Sequence, residues 1–437
     1  MKDKLKLFFN KLGASCSKVS SWIHEKFFYL LSHHDFYICF VIITILSCVL
    51  RYSVFDCIRG DFTNFLKPWY KTIYENGVSA LGYTIGDYTP AYYYLLYIIS
   101  LFKFDPESMQ VLYGIKYISC IFDFLLAVFV YFIVEEITKS KHKALIAYIG
   151  VNFGITIFLN SALWGQCDSI YTAFIAMSLY YLLRGKQRKS LICYGVSFSF
   201  KLQAIFILPL YIILFLRKNL KFRYFIYIPL VYLCFALPSC IVAPNFFVRL
   251  GDIMMVYINQ SANSYQQLTL NAGSLYGLIF TNFKEEKFIS AFSVPLAIAL
   301  IGTFIYFIYR SKEEFSKTTY VKIVTLFALV FPYLLPHMHE RYFYVADVVI
   351  IVYAILNPKK IYVAACALIN SLIGYMAYLW GISFIPLAGD SSRSASFRFG
   401  ALLYLIAIIA VSYDLFKEIY PHGLDNQEKE EEENIPC

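Results

Sequence analysis

Apolar runs long enough to cross a bilayer recur along most of this chain, each ended by a short polar or basic cluster. A stretch of about 18 such residues or more can satisfy its backbone hydrogen bonds across hydrocarbon only as a helix. Of 437 residues, 59% are hydrophobic and 15% are charged, where a soluble domain carries about a quarter charged. The strict alternation of a β-barrel is missing. The expected fold class is therefore all-α, a polytopic helical membrane protein embedded in the lipid bilayer.

The basic clusters set its orientation. Residues 1–35 are basic and amphipathic (Lys2, Lys4, Lys6, Lys11, Lys18, Lys26) and lack a small-residue cleavage site. They are expected to be a cytoplasmic segment on an anionic leaflet. Spans follow near 36–54, 110–134 and 144–163, with a fourth ending at Arg184. Two short runs, 191–200 and 204–215, then flank Lys201-Leu202-Gln203. Further spans fall near 224–241, 288–309, 320–335, 341–356, 361–380 and 398–416. The run from Ala91 to Phe102 makes only about 18 Å of helix, too short to cross. With that run outside the count, every strong basic cluster from Lys139 to Lys360 falls inside, as the positive-inside rule requires. The layout has about 12 crossings and both termini in the cytoplasm. It has a long extracytoplasmic first loop, 55–108, and a large outer loop, 244–287. Residues 36–418 form the transmembrane domain, and 419–437 a disordered acidic tail.

The net charge of +9 belongs to these inner loops and does not point to nucleic acid. The eleven cysteines are scattered, with no CxxC and no Cys/His ligand spacing, so they read as small buried hydrophobes.

This topology gathers the polar residues on the outer face. Asp61 follows Gly60, and Asp87 follows Gly86. Gln166 and Asp168 end the third span, and Asn271 lies in the large outer loop. His337, His339, Glu340 and Arg341 fall within five residues, while Lys201 and Gln203 sit between half-helices that open to the same side. Ionisable groups cost about 2.5–3.5 kcal/mol at the centre of a membrane helix, so they face cavities. Bland readings stand beside the functional ones. Asp61 suits a helix N-cap, and Gly86 to Pro90 suits a turn capped by Thr89 with Pro90 opening the next helix. Trp164-Gly165-Gln166 suits an interfacial anchor. His-x-His-Glu supplies too little geometry for a metal site. Arg341, Lys201 and the histidines suit a phosphate, amides and aspartates suit sugar hydroxyls, and a carboxylate can act as general base.

Several short motifs resemble the GT-C polytopic glycosyltransferases, notably the dolichyl-phosphate-glucose glucosyltransferases of N-glycan assembly. They are also similar to bacterial proteins related to GPI-anchor mannosyltransferases. Gly60-Asp61-Phe62 with Trp69 resembles that family's first-loop segment, which implies that Asp61 is the catalytic base. Asp87-Tyr88-Thr89-Pro90 resembles Asp-Tyr-Pro-Pro, and Gly165-Gln166-Cys167-Asp168-Ser169 resembles Phe-Gln-Tyr-Asn-Ser. Lys201-Leu202-Gln203 resembles Lys-Gln-Met, with its Gln displaced by one position. His339-Glu340-Arg341 resembles His-Glu-Lys, which implies contact with the donor phosphate.

The resemblance implies a hexosyltransferase that inverts the anomeric carbon and takes a polyprenyl-phosphate sugar, with no cofactor. His337, His339, Arg341 and Lys201 would hold the donor phosphate. Asp87, Tyr88, Gln166, Asp168, Gln203, Asn271, Glu340 and Trp69 would meet sugar and acceptor. Short loops imply a bacterial plasma-membrane enzyme, with undecaprenyl phosphate as carrier and a cell-wall or capsular glycan as acceptor. A transporter or flippase of lipid-linked saccharides, and a polymerase or ligase of them, remain the alternatives.

Overall fold

The computed structural model describes residues 36–263, 266–385 and 390–422. The expected basic segment 1–35 lies outside the described residues, as does the expected disordered tail 419–437 apart from its first four residues. There Ile419 ends a helix and Tyr420 is buried, its hydroxyl donating to the Phe307 carbonyl at 2.5 Å, so the tail starts later than expected. The chain divides into two compact units, Met1–Tyr52 and Ser53–Cys437. In the first, the described part is one apolar helix, α1 (Phe36–Tyr52).

The second unit is almost wholly helical. Residues 53–108 carry α2 (Lys67–Asn76) and α3 (Pro90–Ser100). Its 11 residues make α3 too short to span, as expected from the sequence. It packs instead on α2 and on α4 (Met109–Thr138). Pro90 opens α3 at its first turn, where no backbone N–H is needed. Thr89 occupies the cap position but does not cap: its hydroxyl donates to the Ser199 carbonyl.

After α4 the chain passes through α5 (Lys141–Asn152), begun by a Ser140 side chain that accepts from the Lys143 N–H at 3.3 Å. The expected third span is a bent pair of helices. α5 and the segment Ile155–Trp164, which holds α6 (Ile155–Phe158), meet at 47°. Gly154 marks the bend, and a Cβ there would stand 2.9 Å from the Gly150 carbonyl oxygen. Next come α7 (Asp168–Leu183) and α8 (Gln187–Phe200), then a 3₁₀ turn over Leu202–Ile207 leading into α9 (Leu208–Leu216). Lys201, in extended conformation, is the break between the two halves. α10 (Tyr227–Ile241) closes this group, packing on α8 and α3.

The large outer loop is more ordered than its amide-rich composition implied. It contains α11 (Phe246–Asn263), the strand β1 (Thr269–Leu270) and α12 (Leu275–Ile279). The signal missed was amphipathic. Arg249 and Ile253 turn inward while Phe247, Val248, Met255 and Ile258 stay exposed, which is one stripe of a helix. The second group follows: α13 (Lys287–Arg310), α14 (Lys317–Leu334), β2 (Met338–His339), α15 (Tyr344–Leu356), α16 (Ile361–Trp380) and α17 (Asp390–Ile419). A Ser316–Thr319 capping box starts α14. α15 joins the groups by packing on α4 and α5 on one side and on α14 and α16 on the other.

By length and composition, six of the described helices can cross a bilayer, or seven if the bent pair is one span. This is an integral membrane protein. The expected span at 341–356 begins later than the sequence implied. Arg341 lies in a 3₁₀ turn, Glu340–Phe343, and the helix starts at Tyr344. All nine cysteines among the described residues are free thiols.

Candidate active site

Two widened, π-helical turns deliver the first pair of site residues. One, Phe62–Leu66, directly follows Asp61. The other, Leu159–Trp164, directly precedes Gly165 and Gln166. Such turns insert a residue into the helical repeat and redirect the side chains at their ends, and they occur often at functional sites. Gly165 takes the left-handed φ of +80° that ends the second turn. Asp61 therefore does not cap a helix; its side chain makes no cap bond.

Its carboxylate is instead the hub of the site. Gln166 Nε2 donates to Oδ2 at 2.6 Å, and Arg341 Nη1 donates to the same oxygen at 2.6 Å. The same Nη1 lies 2.8 Å from Gln166 Oε1, which closes a three-membered ring of bonds. Tyr378, near the C-terminal end of α16, donates its hydroxyl to Oδ1. The Arg341 guanidinium also lies 5.7 Å from the Trp164 ring centre, and Trp164 stacks on Tyr378 at 4.5 Å.

Lys201 forms the second centre. Its ammonium donates to Asp168 Oδ1, a pair in which both side chains are almost fully buried. Asn160 Nδ2 donates to the other carboxylate oxygen at 2.9 Å. Three rings surround the ammonium, those of Tyr88, Tyr171 and Tyr342, with centres at 5.7, 5.6 and 5.9 Å. The cation is thus balanced by one carboxylate and by aromatic faces.

Between the two centres opens a cavity of about 410 Å³. Asp61, Trp69, Asp87, Tyr88, Gln166, Lys201, Gln203, His337 and Arg341 line it, all of them expected from the sequence. Its other walls are mostly apolar, including Phe65, Leu66, Phe206, Val294, Ile298 and Phe331, with Gln260 and Tyr342 as further polar groups. Trp69 is fixed by a ring cluster with Tyr88, Tyr92 and Tyr93. Gly86 makes room for it, because a Cβ at that position would stand 2.3 Å from Trp69 Nε1.

Four expected residues do not line the cavity: Asp168, His339, Glu340 and Asn271. Asp168 lies behind Lys201. His339 and Asn271 belong to a framework in which β1 pairs in parallel with β2, Leu270 opposite His339. Asn271 is held by Asn282 through bonds of 2.8 and 3.0 Å. His337, at φ +63°, spends both ring nitrogens, one on the Ser290 hydroxyl at 2.5 Å and one on the Gln267 carbonyl at 2.8 Å. Glu340 is 2% exposed and packs where a Cβ on Gly374 would come within 2.6 Å of its own. Burial raises its carboxyl to about 8, partly opposed by the Arg341 charge. Burial likewise holds His339 well below the usual imidazole range, helped by the Arg341 and Lys201 charges.

The structure adds groups that the sequence did not single out: Tyr378 on Asp61, Asn160 on Asp168, and Tyr171 and Tyr342 around Lys201. Each is one tyrosine or asparagine within an apolar or aromatic stretch, and its spacing carries no signal. Among the described residues, no three His, Cys, Asp or Glu side chains gather as a metal-binding group.

A sequence model of glycosyltransferase family 87 matches residues 87–336. The chain belongs to glycosyltransferase family 87. The family 87 match takes in Gln166, Asp168, Lys201 and Gln203, while Asp61 and Arg341 lie on either side of it. No curated protein matches this family 87 chain. Its fold is similar to that of the crystal structure of ArnT from Cupriavidus metallidurans bound to undecaprenyl phosphate. Identity is 12%, over 87% of this chain and 77% of that one, with a TM-score of 0.50. The apo structure of ArnT from the same organism aligns at 12% identity, over 87% of this chain and 76% of that one, with a TM-score of 0.47. The family 87 chain is thus a glycosyltransferase with an ArnT-like fold.

Proposed function

We propose that this glycosyltransferase moves a single hexose, with inversion, from a polyprenyl-phosphate sugar to a glycan or lipid-linked acceptor outside the cytoplasm. Asp61 is the base. The observation that supports this best is the composition of the cavity between the two centres: the hydrogen-bonded Asp61 carboxylate and two cations among mostly apolar side chains. A greasy monophosphate donor needs all of these. Arg341 and Lys201 suit its phosphate. Val294 and Ile298 of α13, whose apolar surface is largely exposed, suit its isoprenoid chain.

In the proposed step the acceptor hydroxyl gives its proton to the Asp61 carboxylate, and its oxygen attacks the anomeric carbon opposite the phosphate. The anomeric C–O bond to phosphate breaks as the new glycosidic bond forms. The polyprenyl phosphate leaves with the bonding electrons, and Arg341 and Lys201 balance its growing charge. Gln166 and Tyr378 orient the carboxylate.

The wider reading follows from the motif resemblance and the layout of basic loops. The chain has about 12 crossings with both termini in the cytoplasm. It uses undecaprenyl phosphate, the lipid bound in the ArnT structure, and serves bacterial cell-surface polysaccharide assembly.

The test is transfer from synthetic polyprenyl-phosphate glucose, mannose, galactose and N-acetylglucosamine in detergent, with lipid extract of the source cells as acceptor. One donor is expected to be consumed, and Asp61→Asn to lose about a hundredfold or more in rate while still binding donor. No consumption of any donor would favour transport or polymerisation. Full activity of Asp61→Asn would move the base to Asp87.

A further inference from the structure

Lys116 lies two turns into the hydrophobic helix α4, and it is completely buried. A charge in such a place is costly unless it has partners. Among the described residues it has no carboxylate within ion-pair distance. Its ammonium has three protons, and it faces three main-chain carbonyls: Phe55 at 2.8 Å, Cys57 at 2.8 Å and Val54 at 3.3 Å. These carbonyls belong to the turn that leads into Asp61. The stem of the same side chain lies under the Gln166 turn, where a Cβ on Gly165 would stand 3.6 Å from Lys116 Cγ.

Its neighbours on α4 repeat the contact. Tyr113 donates its hydroxyl to Asp56, and Cys120 packs with Phe55 and with Ala162 of the π-helical turn. Residues 113, 116 and 120 are spaced i, i+3 and i+7, so they share one face of α4. That face touches both loops whose ends meet at the Asp61–Gln166 hydrogen bond.

We propose that Lys116 is a positioning residue: it pins the turn before Asp61 to α4 and holds that turn in register with Gln166. A main-chain carbonyl cluster draws a cation as a metal site would, and here the lysine is the cation. Its bearing on sugar transfer rests on the function proposed above; its hold on the loop does not.

The experiment therefore has two arms on the full chain in detergent, comparing wild type, Lys116→Met, Lys116→Gln and Lys116→Arg. The first arm is amide hydrogen exchange. Lys116→Met is expected to exchange about tenfold faster across 55–63 and unchanged across 168–183. Unchanged exchange across 55–63 overturns the proposal whether or not the protein transfers sugar. The second arm is transfer kinetics. Lys116→Met is expected to lose about 30-fold in kcat at unchanged donor KM, since a misplaced base costs rate and not binding. Lys116→Arg, which keeps the charge, is expected to recover most of that loss. Combined with Asp61→Asn, Lys116→Met is expected to add no further loss. Wild-type kcat in Lys116→Met, or a loss that multiplies with that of Asp61→Asn, overturns the positioning role. If Lys116→Met is not monodisperse, Lys116→Gln takes its place, because its neutral amide, one bond shorter than the lysine stem, cannot reach all three carbonyls. The same pattern is expected, and wild-type kcat and exchange in Lys116→Gln would overturn it.

Discussion

Arg341 Nη1 stands 2.6 Å from Asp61 Oδ2 and holds Gln166 with the same nitrogen. The proposed base and the proposed phosphate ligand are therefore bonded to each other. A donor phosphate must share or take the guanidinium, and Asp61 then keeps Gln166 and Tyr378 as its partners. The guanidinium's second terminal nitrogen leaves it a fork with which to grip a phosphate while Nη1 stays on Asp61, and an ammonium has no such planar fork. Arg341→Lys is therefore expected to raise donor KM by about tenfold or more while the protein stays folded. Steady-state transfer kinetics measure this, and an unchanged donor KM would remove Arg341 from the phosphate site.

The Lys201–Asp168 pair makes a prediction about stability. Both side chains are buried, so deleting one charge strands the other. Asp168→Asn alone is expected to cost about 3–5 kcal/mol, and pairing it with Lys201→Met to recover most of that. Thermal unfolding in detergent decides. Additive losses would mean that the two residues do not act as a pair.

Gly86 tests the cavity wall. A methyl group there meets Trp69 at Nε1, Cε2 and Cζ2, atoms of a ring that its neighbours hold in place. Gly86→Ala is expected to destabilise by about 1–3 kcal/mol, as overpacking does. Adding Trp69→Phe, which removes the clashing part of the indole, is expected to relieve most of this cost. Both are read from the thermal midpoint, and a Gly86→Ala protein as stable as wild type would place the indole elsewhere.

Glu340 gives a pH dependence. Its carboxyl ordinarily titrates at 4.5, and burial raises it to about 8. Across that window the folded chain keeps a proton that the unfolded chain has lost. Its contribution to stability is thus fully present below the lower value and is lost as pH rises through the upper one. Glu340→Gln, neutral at every pH, is expected to flatten the fall in thermal midpoint between pH 5 and 8 relative to wild type. An equal fall in both proteins would assign the effect to another group.

The gathering of the site was legible in the sequence because topology does most of it. With the basic loops expected inside, Asp61, Gln166, Lys201 and Arg341 are expected at one face, and these four do line one cavity. Pairing was not legible. Arg341 was expected to face a phosphate, but its nearest anion is the proposed base. His337 and Asn271 were singled out as ligands, yet both hold the outer loops together through Ser290, Gln267 and Asn282. A polar residue in an outer loop can meet substrate or neighbour, and composition does not distinguish the two.

The sequence by itself determined the class of protein and which of its polar groups would collect together. Both follow from the cost of exposing backbone and charge to lipid, and that cost is local to each segment. The tertiary structure decided which carboxylate meets which cation and which aromatic rings enclose Lys201. It also decided that Lys116, one lysine in an apolar helix, lies beneath the turn that carries Asp61. Those choices depend on contacts between residues tens to hundreds of positions apart, and spacing along the chain does not encode them.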